Sequence, residues 1–321
     1  MFTIHGKQLR VGFKTSAGGV GKNFPAGDEF LPFPPLLGVT VSLPAGLFQV
    51  TQIGIVPLVG LLELNIPSTD VTIQFTIDND YPYWGQLFST AMKSPVTLHL
   101  PPVDIRICTT PPPGYNIYPT INLWNCLFRR ANFVMGEKYA TASFTFTSPY
   151  GLYIPHTSEE VLPPTSIPMS DAVRRFDMTA IVFTGDKEDT AGLGDARFSI
   201  SSIEFDVQAS VALSLTMPNL VNAFFPPSSP YEPIPISMGL VAHEGAFQYA
   251  GNVRVLLPPL GTVPFPFHTT FPQHFTFTVQ TPPFTITFKK AKLLSFNPSL
   301  NPQNHLEFTL QFWGLGLYST R

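Results

Sequence analysis

Segments in which apolar and polar residues alternate strictly constrain this chain more than any other feature of its sequence. Successive side chains on a β-strand point to opposite faces, so such a segment is typical of a strand with one face in a core. Prolines, 35 of 321 residues, punctuate the chain and exclude long helices. We therefore predict an all-β fold. The clearest alternating segments are Val71–Asp78, Ala142–Ser148, Phe275–Thr281, Phe284–Phe288 and Leu306–Phe312.

One or two short helices are predicted beside the strands. Between Tyr83 and Met92 the apolar residues fall at positions 83, 84, 87, 88, 91 and 92, which is the spacing of one helix face. Asp80 and Pro82 precede this stripe, where residues that begin helices are common. A second, weaker pattern predicts a helix over Ser170–Phe176.

Segments of the first half recur in the second half in the same order, which predicts a gene duplication. Their offsets rise steadily from 140 to 165 residues, as expected for diverged copies with insertions in the second. A Pro-rich polar stretch lies where the copies meet. We predict two tandem β-sandwich or barrel domains, residues 1–155 and 169–321, joined by a linker over 156–168. The matched segments are Asp70–Asn79 with Ser210–Asn219, Val96–Val103 with Val253–Leu260, Phe128–Asn132 with Phe288–Lys292, and Gly151–Tyr153 with Gly316–Tyr318.

Charge is sparse, because the chain has only 18 Lys and Arg and 21 Asp and Glu, a net charge of −3. This balance does not suit a protein that grips nucleic-acid phosphates, and 13% aromatic residues do not suit a disordered chain. Three long stretches have no charged residue, yet Pro, Gly, Gln and Thr interrupt them, so none is typical of a transmembrane helix. We expect a subunit largely covered by copies of itself; an apolar monomer with long buried strands is the alternative. The uncharged stretches are Phe30–Leu62, Val207–Tyr231 and Val255–Phe288.

Patterns of catalytic or metal-binding residues are absent from the sequence. Gly21-Lys22 invites comparison with a phosphate-binding loop, but Asn23 stands where Ser or Thr is required and Pro25 opposes the helix that should follow. The seven histidines show no zinc-site spacing, and no Gly-x-Ser-x-Gly elbow occurs. We expect a protein that is not an enzyme and that needs no metal or cofactor.

The cysteines Cys108 and Cys126 flank a Pro-rich loop. From the alternation of its first residues we expect a strand at the start of the chain and no signal peptide. Without a secretion signal, two buried free thiols are expected in preference to a disulfide.

Two long insertions and two basic pairs are candidate contacts between subunits. Lys14–Gly38 and Thr184–Arg197 lack periodicity, so we expect loops that project and become ordered on assembly. Arg129-Arg130 and Lys289-Lys290 occupy equivalent places in the two copies; solvated strand ends are the alternative for them. The candidate stacking or inter-subunit residues are Gly18, Lys22, Phe24, Phe33, Arg129, Arg130, Asp186, Lys187, Lys289 and Lys290.

Two tandem β-rich halves, low charge, long insertions and a final alternating strand resemble the tail-tube (major tail) proteins of long-tailed bacteriophages. The resemblance covers most of both halves and rests on the order of elements around Asp70–Asn79, Ser210–Asn219, Ala142–Ser148 and Leu306–Phe312. It implies β-sandwich domains whose four-stranded sheets join an inner ring barrel, with rings stacked through loops. A two-domain chain departs from the single domain common in that family, and it implies homotrimeric, pseudo-hexameric rings.

The resemblance also implies partners and a location. The protein would self-assemble into the conduit for DNA ejection and contact the tape measure, terminator and distal tail proteins. Double-stranded DNA would pass through without sequence-specific binding. The protein would be assembled in the host cytoplasm, reside in the virion and contact no membrane.

Alternation identifies which side chains would face such a conduit. Phosphates slide past short neutral polar groups, whereas each Lys or Arg would hold one, so the lumen face should lack basic residues. The opposite face, with Val71, Ile73, Phe75, Phe144 and Phe146, should pack into the sandwich. The candidate lumen-lining residues are Thr72, Gln74, Thr76, Ser143, Thr145, Thr147, Ser214, Thr216, Thr309 and Gln311.

Two other functions fit the same sequence. A double β-sandwich viral capsid protein also forms pseudo-hexameric trimers, and a secreted carbohydrate-active β-sandwich enzyme or adhesin has similar strands. Electron microscopy separates the three, because they give tubes, shells and single particles respectively.

Overall fold

The structure is a computed structural model of the chain. It describes residues 2–5, 9–16, 30–42, 48–50, 60–62, 69–78, 80–90, 100–109, 119–136, 140–148, 152, 154, 180–183, 197–215, 240–256, 275–280, 285–300, 306–315 and 317–320. The predicted linker over 156–168 and the second predicted helix, Ser170–Phe176, lie outside these residues.

The prediction of an all-β fold is confirmed, because strands account for nearly all the secondary structure in the described residues. The strands of the first half are β1 (Phe2–His5), β2 (Leu9–Thr15), β3 (Leu31–Pro32), β4 (Leu36–Ser42), β5 (Phe48–Val50), β6 (Gly60–Leu62), β7 (Thr69–Thr76), β8 (Val103–Thr109), β9 (Thr120–Met135) and β10 (Ala140–Ser148). Those of the second half are β11 (Ala180–Phe183), β12 (Arg197–Leu215), β13 (Leu240–Leu256), β14 (Phe275–Gln280), β15 (Thr285–Leu300), β16 (Leu306–Leu315) and β17 (Leu317–Thr320).

A helix forms where the apolar stripe predicted one, but it is shorter. Helix α1 runs from Trp84 to Ser89 instead of from Tyr83 to Met92. Trp84, Leu87 and Phe88 form its buried face. The backbone N–H of Thr90 bonds to the carbonyl oxygens of Leu87 and Phe88, and the Thr90 hydroxyl also donates to Leu87. These contacts close the last turn and end the helix.

Fifteen strands connect into one antiparallel sheet system, while β5 and β6 form a separate pair. One continuous path through it has the order β1-β4-β7-β10-β9-β12-β13-β16-β15. The remaining strands fold back over one side of this path. β8 pairs with β9 and β2, and β14 pairs with β15 and β11.

Strand pairing follows the same scheme in both halves. In the first half β2 pairs with β8, β8 with β9, β9 with β10, β10 with β7, and β7 with β4. In the second half β11 pairs with β14, β14 with β15, β15 with β16, β16 with β13, and β13 with β12. All these pairs are antiparallel, and the matching strands come in the same chain order. The halves meet where β9 pairs with β12.

One of the matched pairs of sequence segments lies on strands that correspond in the pairing scheme, and another pair lies on strands that do not. Phe128–Asn132 and Phe288–Lys292 lie in β9 and β15, which correspond, but the registers match Phe288 with Leu123 and Phe128 with Leu293. Asp70–Asn79 begins in β7, which pairs directly with β10. Its match in the second half, Ser210–Leu215, lies in β12, and β13 separates β12 from β16, the strand that corresponds to β10. The strand in the place of β7 is β13, which contains Val253. Val96, its predicted partner, lies outside the described residues. The predicted superposition of the halves stays a prediction.

The long strands β9 and β15 each pass from one sheet layer to the other. β9 pairs with β8 up to Cys126 and with β10 from Leu127 onward. An irregularity leaves Arg129 without an opposite residue on β10. On β15 the register with β14 breaks between Phe288 and Ala291, which is where Lys289-Lys290 lies. β16 corresponds to β10, and the register of β15 with β16 breaks at Leu294, so Leu294 is the residue that matches Arg129. The prediction that the two basic pairs occupy equivalent places is therefore wrong.

Aromatic rings fill the space between the layers. Phe144 is fully buried between the rings of Phe75 and Phe133, with centroids at 5.2 and 5.6 Å. Phe205 stacks on Phe133 at 4.5 Å across the junction between the halves. The same layer continues through Phe288, so the core of one half passes into the core of the other.

The predicted insertion Lys14–Gly38 is wrong at both ends. β2 continues through Thr15, and the chain re-enters the fold at Phe30, before β3 and β4. Phe33, a predicted stacking contact, is 2% exposed and packs on Phe13 and Phe75. Its place in the core removes it from the candidate contacts. The two cysteines are buried and free, as predicted. Cys108 lies opposite Thr120 and Cys126 opposite Val103, at different ends of the β8–β9 hairpin.

A second, polar layer lies on the other face of β8. The Arg106 guanidinium is 3% exposed, donates through Nε to Asn122 Oδ1 at 3.0 Å and lies 4.7 Å from the Phe30 ring centroid. Asp104 is 6% exposed and accepts a hydrogen bond from the Asn125 backbone N–H at 2.9 Å. Burial raises the pKa of the Asp104 carboxyl, and the Asn125 N–H opposes that shift.

Replacing Asp104 by asparagine should change how stability depends on pH. A raised carboxyl pKa means that the fold favours the protonated form, so the contribution of Asp104 to stability decreases as pH rises from about 4. Asparagine does not titrate. The unfolding free energy of Asp104→Asn minus that of the wild type should therefore increase between about pH 4 and about pH 7. Urea unfolding at several pH values measures this difference, and a constant or decreasing difference would contradict the assignment.

Candidate functional site

The candidate site is the open face of the sheet path, which we call the polar face. On β7 and β10 it begins with the neighbouring pairs Thr72–Thr145 and Gln74–Ser143. The Thr72 and Thr145 hydroxyls are hydrogen-bonded at 2.9 Å. Val71, Ile73 and the other predicted core residues on these strands are 0–1% exposed. On β7 and β10, alternation therefore separates a buried apolar face from a polar face, as predicted.

The register carries the polar face across the remaining strands of the path. Thr145 lies opposite Arg130, Asn132 opposite Asp206, and Asp206 opposite Ala250. Thr309 and Gln311, predicted from the second half, lie opposite Arg254 and Asn252 on the same face. Ser295 donates to Gln311 Oε1 at 2.6 Å. The other side chains on this face include Thr40, Ser42, Asp70, Thr76, Thr141, Ser202, Glu204, Gln208, Gln248, Lys292, Asn297 and Trp313.

Some predicted residues do not contribute to the open face. Thr147 is only 6% exposed, and its hydroxyl donates to Asp70 Oδ1 at 2.6 Å. Asp70 and Arg129 cover it, so the prediction that Thr147 lines an open surface is wrong. Other candidates stay predictions: Ser214 lies in β12 opposite Val241, and Lys289 and Lys290 lie in β15. The predicted residues outside the described part of the chain are Gly18, Lys22, Phe24, Asp186, Lys187 and Thr216.

The expectation that this face lacks basic residues is wrong. Arg129, Arg130, Arg254 and Lys292 all lie on it and are exposed. Acidic residues accompany them, because Asp70, Glu204 and Asp206 share the face. The net charge of the polar face is therefore close to zero because basic and acidic residues offset each other, and not because all its residues are uncharged.

Two ion pairs hold the central arginines. Arg129 Nη1 lies 2.7 Å from Asp70 Oδ2, and Arg130 Nε lies 2.8 Å from Asp206 Oδ1. Gln208 donates to the other Asp206 oxygen at 2.7 Å. The hydrogen bond to Asp206 raises the pKa of the Arg130 guanidinium further above its usual value. Both arginines are more than half exposed, so the ion pairs add little stability. Each guanidinium is nevertheless already paired with a carboxylate.

The Arg130–Asp206 pair also joins the two halves of the chain, since Arg130 belongs to β9 and Asp206 to β12. Beside it a shallow groove of about 320 Å³ runs across β9, β12, β13 and β16. Its polar lining comes from Arg130, Asn132, Glu204, Asp206, Asn252 and Gln311.

Sequence reasoning predicted Ser214 of β12 but missed residues Ser202–Gln208 of the same strand and the contribution of β13 to this face. Ser202, Glu204, Asp206 and Gln208 alternate with Ile203, Phe205 and Val207, which are 0–1% exposed. That alternation was available in the sequence and predicts a strand. Arg254 and Asn252 on β13 follow the same rule.

No protein-family model matches the chain, and no curated protein sequence matches it either.

Within the part of the chain that the structure describes, no helix has the length and apolar character needed to cross a bilayer. The same residues bring together no group of three His, Cys, Asp or Glu side chains that could hold a metal ion.

Proposed function

We propose that this protein is a structural subunit that assembles with copies of itself into the tail tube of a long-tailed bacteriophage. Three copies would form a pseudo-hexameric ring, rings would stack into a tube, and double-stranded DNA would pass along the polar face. The tube would reside in the virion beside the tape measure, terminator and distal tail proteins.

One observation carries the proposal. A single antiparallel path runs β4-β7-β10-β9 and then β12-β13-β16-β15, so two units with the same pairing scheme already lie side by side in one sheet. One face of this path packs on the core and the other is polar. A sheet that continues from unit to unit in this way is the arrangement needed for a closed inner barrel, and closure would remove the exposed edges.

The charge around Arg129 and Arg130, in the central part of the polar face, is compatible with DNA in transit. Each unpaired cation would hold a phosphate with a salt-dependent attraction. Arg129 and Arg130 instead contact Asp70 and Asp206. Neutral hydroxyls and amides occupy much of the remaining face, and their hydrogen bonds to water and phosphate exchange readily.

Negative-stain electron microscopy of the concentrated purified protein tests the proposal. We expect rings of three copies with a central channel, stacking into tubes. Closed shells would favour the capsid alternative. A protein that stays monomeric at every concentration would overturn the proposal.

Replacing Thr145 by lysine tests the role of the polar face. Thr145 is partly exposed and lies directly opposite Arg130, so the new ammonium adds an unpaired cation beside an ion pair that is already satisfied. We expect Thr145→Lys subunits to assemble normally and the tubes to retain duplex DNA at about 50 mM salt, releasing it as salt increases. Co-sedimentation of tubes with labelled DNA measures retention.

The control for that experiment is Thr145→Val, which removes the same hydroxyl and its bond to Thr72 without adding charge. Its tubes should bind as little DNA as wild-type tubes. Equal DNA retention by all three proteins would show that Thr145 does not face the DNA.

A second candidate function, saccharide binding, is favoured by the groove beside the junction. Amide and carboxylate side chains such as Asn252 and Glu204 line it, and Trp313 on the same face is 38% exposed. Planar polar groups and an exposed aromatic ring are the usual components of a sugar site. Calorimetric titration with soluble glycans tests it, and a lack of heat from any glycan together with tube formation would exclude it.

A further inference from the structure

The N-terminal strand β1 occupies one end of the sheet path. It pairs antiparallel with β4, from Phe2 opposite Val41 to His5 opposite Gly38. The other side of β4 pairs with β7. β1 therefore provides the backbone partners for an edge that the other described residues leave open.

The corresponding place in the second half is taken by the preceding unit. β12 corresponds to β4 in the pairing scheme, and residues Ile203–Gln208 pair with β13 on one side. On the other side they pair with Met135–Arg130 of β9, the last strand of the first unit's path. β1 thus holds on β4 the position that β9 holds on β12.

At the opposite end of the path, β15 has no counterpart, among the described residues, of the strand β12 that pairs with β9. Its C-terminal part, Lys292–Leu300, pairs with β16. On its other side β14 pairs only as far as Ala291. Beyond that point the described residues supply no strand on that side, whereas the matching part of β9 is flanked by both β10 and β12.

From this comparison we propose that β1 is a removable edge strand that blocks self-assembly until a second copy of the chain displaces it. In the assembled state the Lys292–Leu300 edge of one copy pairs with β4 of the next, repeating the β9–β12 junction between subunits. The inference rests on the proposed function, since the displacing partner is the neighbouring subunit of a ring.

Backbone geometry makes the two states exclusive. A strand has hydrogen-bonding groups for one neighbour on each side. β4 cannot keep β1 and accept β15 on the same side, so a junction like β9–β12 requires β1 to leave. An edge covered by a short strand is also protected from uncontrolled pairing in the free subunit.

A reversible disulfide between β1 and β4 tests the displacement. Thr3 and Thr40 are directly opposite, and opposite residues of antiparallel strands are close enough for a disulfide. We expect the oxidised Thr3→Cys/Thr40→Cys protein to stay monomeric at concentrations where the wild type forms rings. Reduction should restore the rings. The native cysteines are buried and therefore do not compete.

The matched control is Thr40→Cys alone under the same oxidising conditions, which should assemble like the wild type. A second variant lacks Phe2–His5, and its rings should form at a concentration lower by about tenfold or more. Light scattering and size-exclusion chromatography measure both effects. Normal ring formation by the oxidised double variant, or loss of rings in a folded deletion variant, would overturn the role of β1.

The outcomes separate this inference from the proposed function. Rings from the wild type that persist with β1 locked refute the displacement and leave the tube proposal intact. Wild-type and β1-deleted proteins that both remain monomeric refute the two proposals together.

Discussion

Replacing Phe288 by alanine should lower the free energy of unfolding by about 4 kcal/mol. Phe288 is fully buried. Its ring stacks on Phe277 at 4.5 Å and contacts Phe205, Tyr249 and Phe312 at 5.1–5.3 Å. Alanine removes the buried ring and leaves a cavity that the neighbouring rings, on several different strands, cannot collapse to fill. The lost transfer free energy of the ring and the cost of the cavity therefore add.

Urea unfolding followed by intrinsic fluorescence measures this change. Leu294→Ala on the same strand is the control, because Leu294 is 60% exposed and its removal should change the unfolding free energy by less than about 0.5 kcal/mol. Similar losses for Phe288→Ala and Leu294→Ala would contradict the placement of Phe288 in the core.

Local pattern was sufficient to predict the strands and their faces. In Val71–Asp78 and Ala142–Ser148 the apolar residues are buried while Thr72, Thr76 and Thr145 are partly exposed, because period-2 alternation is a property of the strand itself. The helix at Trp84 followed from spacing in the same way. Its early end reflects a closing turn at Thr90 that the apolar stripe does not encode.

Strand order could not be read from the sequence in the same way. The similarity of Asp70–Asn79 to Ser210–Asn219 suggested matching strands, yet β13 lies in the place of β7. Two strands of similar alternation look alike in sequence whether or not they have the same neighbours. Pairing across the long separation between β9 and β12 depends on contacts that no local window contains.

In the candidate site, too, the residues set by local alternation were predictable, whereas the contacts between strands were not. Thr72, Gln74, Ser143 and Thr145 were predictable, because alternation alone puts them on one face. Thr147 has the same parity but is covered by the Asp70–Arg129 pair, which forms only when β7 and β9 flank β10. The ion pairs of Arg129 and Arg130 were not predictable for the same reason, since Asp70 and Asp206 lie on other strands.

A methyl group at position 251 should be more damaging than its size suggests. Gly251 lies in β13 between Phe205 of β12 and Phe312 of β16, and their side chains close over it. A Cβ atom there would lie 2.5 Å from the Glu204 carbonyl oxygen and 2.7 Å from atoms of both phenylalanines. The closest atom belongs to the backbone, so a rotamer change cannot relieve the clash and the two strands must separate.

We expect Gly251→Ala to lower the free energy of unfolding by about 3 kcal/mol or more, as overpacking of a tight site does. The usual effect of Gly→Ala in a strand is a gain of about 0.5–1 kcal/mol, so the sign itself is informative. Gly38→Ala is the matched control on β4, since its Cβ would meet only the Gln74 Oε1 atom at 3.8 Å. It should be neutral or slightly stabilising in the same urea titration. A Gly251→Ala protein as stable as Gly38→Ala would mean that β12, β13 and β16 do not approach one another as closely around Gly251 as the structure places them.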